Sequence, residues 1–134
     1  MAAAGNLHLV VVSHDRTLLD QHCQEVGLPG RHGDLGILPG HAAFLGALRP
    51  GVLSAKSAGE SVSAAISAGF CEVLDDRVTV LVDHADFAAD LDVEEVTASL
   101  QAANEAVEHA ESGQLSDLQD KVALAEAQLS VMGN

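Results

Sequence analysis

Seven histidines, two cysteines and twenty carboxylates give this chain of 134 residues the raw material for metal or acid–base chemistry. The spacing does not assemble it. His8, His14, His22, His32, His41, His84 and His109 include no pair at zinc-site separations, and His22 runs straight into Cys23. The ISAGF stretch lacks the G-x-S-x-G pattern of a nucleophile elbow. Gly36 to Gly40 is not followed by the Gly-Lys-Ser/Thr that would clamp a triphosphate. The carboxylates concentrate in the C-terminal third at helical spacing, where they read as a solvated face. His41 belongs to the side-chain type that senses physiological pH. Beside Pro39-Gly40, however, it reads as a turn residue bonded to backbone. No catalytic residue, metal site or cofactor is expected.

Composition narrows the partners. Six basic residues against twenty acidic ones leave a formal charge of −14. A phosphate backbone or an anionic lipid surface is a poor partner for such a chain. Apolar residues make up 48%, with no Trp or Tyr and three Phe, so the core must be aliphatic. Two cysteines are too few for a disulfide framework and fit a reducing compartment. The opening MAAAGNLHLVVVSHD has no basic n-region, so no signal peptide is expected. No run approaches the ~20 apolar residues of a membrane span. Membrane association is therefore expected only through partners.

The elements divide by period and charge. LHLVVVS, closed by HDRT, reads as a short strand and turn, and QEVGLPG as a segment ending on a Pro29-Gly30 turn. GVLSAKSAG, SVSAAISAG and FCEVLDDRVTVLVD continue the strand pattern, the last as a hairpin turning at Asp75-Asp76. Phe70, Glu72 and Leu74 share one parity, Cys71 and Val73 the other, which suggests that both faces are partly buried. Many short strands imply a sandwich or barrel. From Asp90 the period changes: Val93, Val96, Leu100, Ala103, Val107 and Ala110, then Leu115, Leu118, Val122, Ala125, Leu129 and Met132, mark heptad seams on two helices. Asp92 with Glu95, and Ser116 with Gln119, resemble capping boxes, and Gly113 reads as a left-handed helix stop. The short turn makes the helices antiparallel. Residues 1–82 carry eight acids and five bases, whereas residues 83–134 carry twelve acids and Lys121 alone. Alanine-rich seams bury little area, so the pair is expected to be a weak arm that can dock or detach. The fold class is thus α+β. The expected domains are a sandwich over 1–86 and a helical hairpin over 87–134.

GDLGILPGHAAFLGALRPG, residues 33–51, is apolar yet broken by five glycines and two prolines. It reads either as a compact Gly-Pro loop inside a sandwich or as a rigid apolar docking loop, and composition favours the first. The stretch also resembles the epsilon subunit family of rotary F-type ATP synthases. That family carries G-x-x-G-x-x-P-G-H-A-P and then L-x-P-G. Gly33, Gly36, Pro39, Gly40, His41, Ala42, Leu48, Pro50 and Gly51 match, while Ala43 stands in place of proline. LHLVVVSHD is similar to the family's first strand, with His14 where proline is common. AGFCEVLDDRVTVLVD is similar to its final hairpin, with Ala68 where a second glycine is usual. DLDVEEV sits where its C-terminal helices begin.

The resemblance implies a ten-stranded antiparallel sandwich followed by a two-helix hairpin. It implies a non-catalytic rotor part of a proton-translocating synthase, gripping the gamma shaft and resting on the c-subunit ring at the cytoplasmic face of the inner membrane or its organelle equivalent. Arg31, His32 and Asp34 would face the ring, and His41, Ala43 and Phe44 the shaft. The arm would reach the alpha/beta catalytic head and regulate hydrolysis. Some members bind ATP through L-D-x-x-R-A. Here Leu91 and Asp92 are kept, but Glu95 replaces the arginine and Val96 the alanine, so no ATP binding is expected. Lys121 alone, with Ser130 at a family arginine position, implies weak inhibition. An ATP-sensing module, a stand-alone scaffold or adapter and an independent hydrolase are the alternatives.

Overall fold

A computed structural model describes residues 6–133. The expected domain limits at 1 and 134, and the leader reading of residues 1–5, fall outside them. Ten strands come first: β1 Leu7–Val12, β2 Thr17–Cys23, β3 Glu25–Gly30, β4 Gly33–Ile37, β5 Phe44–Leu48, β6 Gly51–Ser57, β7 Glu60–Ile66, β8 Gly69–Leu74, β9 Arg77–Val82 and β10 Ala85–Asp86. A single 3-10 turn, Ala88–Asp90, leads into helices α1, Val93–Glu108, and α2, Leu115–Val131.

The strands form one continuous path, β10-β7-β6-β3-β5-β8-β9-β1-β2, with β4 paired to β3. Its two halves are joined at β3–β5 by one residue pair, Gly30 with Leu48. The path folds over at that weak joint, so β2 comes to face β6 across the core. Leu7, Leu9, Val26, Ile37, Leu48, Leu53, Ile66, Val78 and Val80 are fully buried between the layers, an aliphatic core as composition requires. Cys23 and Cys71 are free thiols in the same core. Burial pushes both up from the ordinary thiol range, against a weaker lowering by backbone hydrogen bonds, so they remain protonated and inert.

Several local expectations need correction. β1 pairs parallel with β9, although an all-antiparallel sandwich was expected. No hairpin links these two strands, so nothing local forces reversal. Pro29-Gly30 does not turn. Both residues lie in β3, with Pro29 opposite Asp34, and the reversal falls at Arg31-His32. Residues 33–51 hold two strands rather than a loop, and the chain changes layers between them. Ile37 and Leu48 point into the core, and Leu38, Phe44 and Leu45 are exposed. β8 buries one parity only: Cys71 and Val73 are inside, while Phe70 and Leu74 are outside.

Asp92 caps α1 as expected, its carboxylate accepting from the Glu94 and Glu95 amides. Ser116 does not cap α2. That helix opens at Leu115 after Gln114, which makes no side-chain cap bond, so Ser116 lies inside the first turn. Gly113 is not left-handed: α1 has already ended at His109, so the connecting residues need no reversal of φ at Gly113. Along the seams Val96, Ala103 and Ala125 are buried, while Val93 and Leu115, each the first residue of its helix, are exposed. Ala127, off the seam, is buried as well. α2 lies against β6 and β7. Ala65 shows which side it covers: paired with Val52, it faces away from Leu53 and Ile66, yet it is fully buried. The arm is therefore docked on the outer face of one layer.

Candidate functional site

Among the described residues, no helix or strand packs over the outer face of the other layer. Register places Leu45, Glu72, Thr79 and Val10 in one cross-strand row, and Ala47, Phe70, Leu81 and Val12 in the next. Leu45 is 74% exposed, Phe70 58% and Leu74 50%, with Leu81 close behind. Strands alternate their side chains, so Leu45, Phe70 and Leu81 point outward into solvent, whereas Val10 in the first row is buried. Large apolar side chains grouped on one face mark an interaction surface.

A built edge borders this face. Leu38-Pro39-Gly40-His41 forms a turn in which the His41 amide donates to the Leu38 carbonyl at 3.1 Å. Proline fixes the second position and Gly40, at φ +85°, supplies the left-handed third, the signature of a type II turn. The Gly40 amide donates to Asp76 Oδ1 at 2.7 Å. Leu38, on the turn, is 57% exposed. Phe44 follows at the mouth of the sandwich, its ring edge-on to His41 at 6.4 Å between centroids. That ring lies over Gly46, where a Cβ would come within 2.7 Å of it, so only glycine admits Phe44 in this pose. His41 Nδ1 lies 2.7 Å from the Ala42 carbonyl, and Ala43 is exposed on the same turn.

The second predicted cluster sits on the β3–β4 turn. Arg31, His32 and Asp34 are all exposed there. Asp34 is already engaged: Arg49 donates to its Oδ1 at 2.6 Å and also to the Gly30 carbonyl. Arg31 reaches across to Asp120 of α2 at 3.5 Å. This turn thus touches the arm, and the Gln128 amide on the same helix donates to Asp86 at 2.9 Å. The six site residues therefore form two groups, one at the β3–β4 reversal and the start of β4, the other at the β4–β5 connection and the start of β5.

Sequence reasoning missed Leu38, Leu45, Phe70, Leu74 and Leu81. The shared parity of Phe70, Glu72 and Leu74 was visible; its exposure depends on which layer the strand joins. The sheet also pairs two histidines that spacing kept apart. His8 and His22 are cross-strand partners with rings stacked 4.5 Å apart, and His8 Nε2 lies 2.6 Å from Asp20. Among the described residues no group of three or more His, Cys, Asp or Glu side chains has metal-holding geometry. Ser67 Oγ accepts from the Asp83 and His84 amides, a structural use of a hydroxyl. Between α1 and α2 lies an open groove of about 430 Å³, lined by Ala102, Ala106 and Leu124, with Lys121 as its cation. Glu95 is exposed at the other end of the motif, and Asp92 is used as a cap. No helix among the described residues is long and apolar enough to cross a membrane.

Known proteins share this arrangement. Residues 6–88 match the family described as ATP synthase, Delta/Epsilon chain, beta-sandwich domain. The ATP synthase epsilon chain of Nitratidesulfovibrio vulgaris strain DP4 is 37% identical over 126 residues, covering 94% of this chain and 88% of that one. The epsilon chain from strain Miyazaki F of that species is 45% identical over 89 residues, 66% of each chain. A chain in the mitochondrial ATP synthase structure of Euglena gracilis superposes with a TM-score of 0.82 at 20% identity, covering 96% of this chain and 82% of that one.

Proposed function

Because this chain belongs to the delta/epsilon chain family of ATP synthases, we propose that it works as a non-catalytic rotor subunit, coupling ring-driven rotation to ATP synthesis. The observation that carries this reading is the bare apolar face of Leu45, Phe70, Leu74 and Leu81 beside a proline-stiffened edge. A torque coupler needs a wide, dry contact and little backbone entropy to lose on docking. Leu45, Phe70 and the 38–44 edge are the contact with the gamma shaft, including His41, Ala43 and Phe44. The β3–β4 turn, with Arg31, His32 and Asp34, is the contact with the c-subunit ring. The working site is the cytoplasmic face of the inner membrane, reached through these partners. The domains are the sandwich over 1–86 and the arm over 87–134.

The arm regulates hydrolysis at the alpha/beta head weakly, since Lys121 is its one base. It binds no ATP: Glu95 would set a carboxylate against the triphosphate, and the Asp92 carboxylate is already occupied by the helix amides. Reconstitution tests the main reading. Enzyme lacking this chain is expected to hydrolyse ATP without coupled proton pumping, and added chain to restore pumping. Restoration by an unrelated sandwich protein, or none by this chain, would refute it. Deleting residues 90–134 is expected to raise hydrolysis less than about twofold, and equilibrium dialysis with labelled ATP to show no retention by the full chain.

A further inference from the structure

The two turns at the docking edge are joined through one residue. In the β8–β9 hairpin the central residues Asp75 and Asp76 adopt φ of 50° and 63°. Two left-handed residues in a two-residue connection make a type I′ turn, the form that matches strand twist. Non-glycine residues rarely take this conformation, and aspartate is among the few that do. Asp76 then bonds in two directions. Its carbonyl accepts from the His8 amide at 2.9 Å, seating the start of β1. Its carboxylate accepts from Gly40, thirty-six residues earlier. A type II turn closes through its fourth amide, here His41, and leaves the third without a partner inside the turn. That third amide is Gly40, and Asp76 satisfies it.

We propose that Asp76 is the positioning residue of the shaft-docking edge, its carboxylate fixing the Leu38–His41 turn in the orientation that sets Leu38 beside the exposed face. The hydrogen bond is charge-assisted and spans two otherwise independent connections. Without it the 38–43 segment keeps only contacts internal to itself, the Leu38–His41 bond and the His41 Nδ1–Ala42 contact, and samples more conformations before docking, which lowers affinity without touching the core. Asp75 is the internal control, with the same turn and the same φ sign. The role rests on the shaft-binding reading above, and the measurements separate the two.

Asp76→Gly keeps the left-handed backbone and removes the acceptor. Asp76→Asn keeps both. Asp75→Gly removes neither. The first is expected to speed exchange of the Gly40 amide about tenfold and weaken binding to purified gamma subunit about five- to twentyfold, with the melting temperature unchanged or raised. Asparagine should restore affinity to within about threefold, and Asp75→Gly should leave it unchanged. Unaltered affinity for Asp76→Gly, or an equal loss for Asp75→Gly, overturns the role. Should Asp76→Gly fail to fold, the unmodified chain still decides: a Gly40 amide exchanging at the rate of an unstructured glycine refutes the bond. If the unmodified chain ignores gamma, the shaft reading fails, and the exchange data alone judge the link between the turns.

Discussion

The sandwich buries Leu, Ile and Val side chains on both inner faces, whereas the helical pair buries Val96 and three alanines, Ala103, Ala125 and Ala127. An alanine methyl removed from water is worth about 0.8 kcal/mol, against about 2 kcal/mol for a leucine. The arm therefore adds little area per residue. It supplements that with polar anchors, Gln128 to Asp86 and Asp120 to Arg31, which water can replace. The sandwich is the deeply packed part, and the arm is held by less apolar area per residue. The outer faces repeat the contrast. Where α2 lies, the sheet shows small and polar residues such as Val52, Ser54, Ser63 and Ala65; the opposite layer shows Leu45, Phe70 and Leu81. A reversible cover suits the first face, and a permanent partner the second.

Four variants break or sharpen this contrast. Leu53→Ala opens a cavity in the shared core and should cost about 3 kcal/mol in denaturant unfolding. A loss below about 1 kcal/mol would mean the sandwich is no tighter than the arm. Next comes Phe70→Asp combined with Leu45→Asp. Affinity for gamma should fall at least about a hundredfold, since central apolar anchors carry about 2 kcal/mol or more, while stability moves by less than about 0.5 kcal/mol. A matching drop in stability would make the face part of the core. Ala127→Asp puts a charge under α2 and should weaken arm docking by about 2 kcal/mol. Amide exchange should then quicken across α2 while β8 and β9 keep their protection. Arg31→Ala has the smallest effect. An ion pair this exposed contributes at most about 1 kcal/mol, and that part should vanish in high salt.

Short-range rules carried much of the fold. Asp75-Asp76 marked its hairpin because left-handed residues must be small or able to bond locally. The heptad spacing marked both helices, and Asp92 marked the first helix start. The misreadings share a cause, tertiary context overriding a local signal. Pro29 sits in a strand because its missing amide faces no ladder bond there, and Gly113 follows a helix that had already ended. Because α2 already opens at Leu115, Ser116 falls inside its first turn and has no cap to make. The candidate surface was half legible. The motif gave the turn at Pro39-Gly40. It could not give the outer face shared by Leu45, Phe70 and Leu81, which requires knowing that β5 and β9 flank β8 and which side faces out. The Arg31–Asp120 and Gly40–Asp76 contacts, like the stacked His8 and His22, depend on register between distant segments.

Side-chain footprinting by hydroxyl radicals, on the free chain and on the assembled synthase, tests the central claim most directly. The account predicts that Leu38, Leu45, Phe70 and Leu74 lose most of their labelling on assembly. Unchanged labelling of Leu45 and Phe70 in an active assembled enzyme would contradict it.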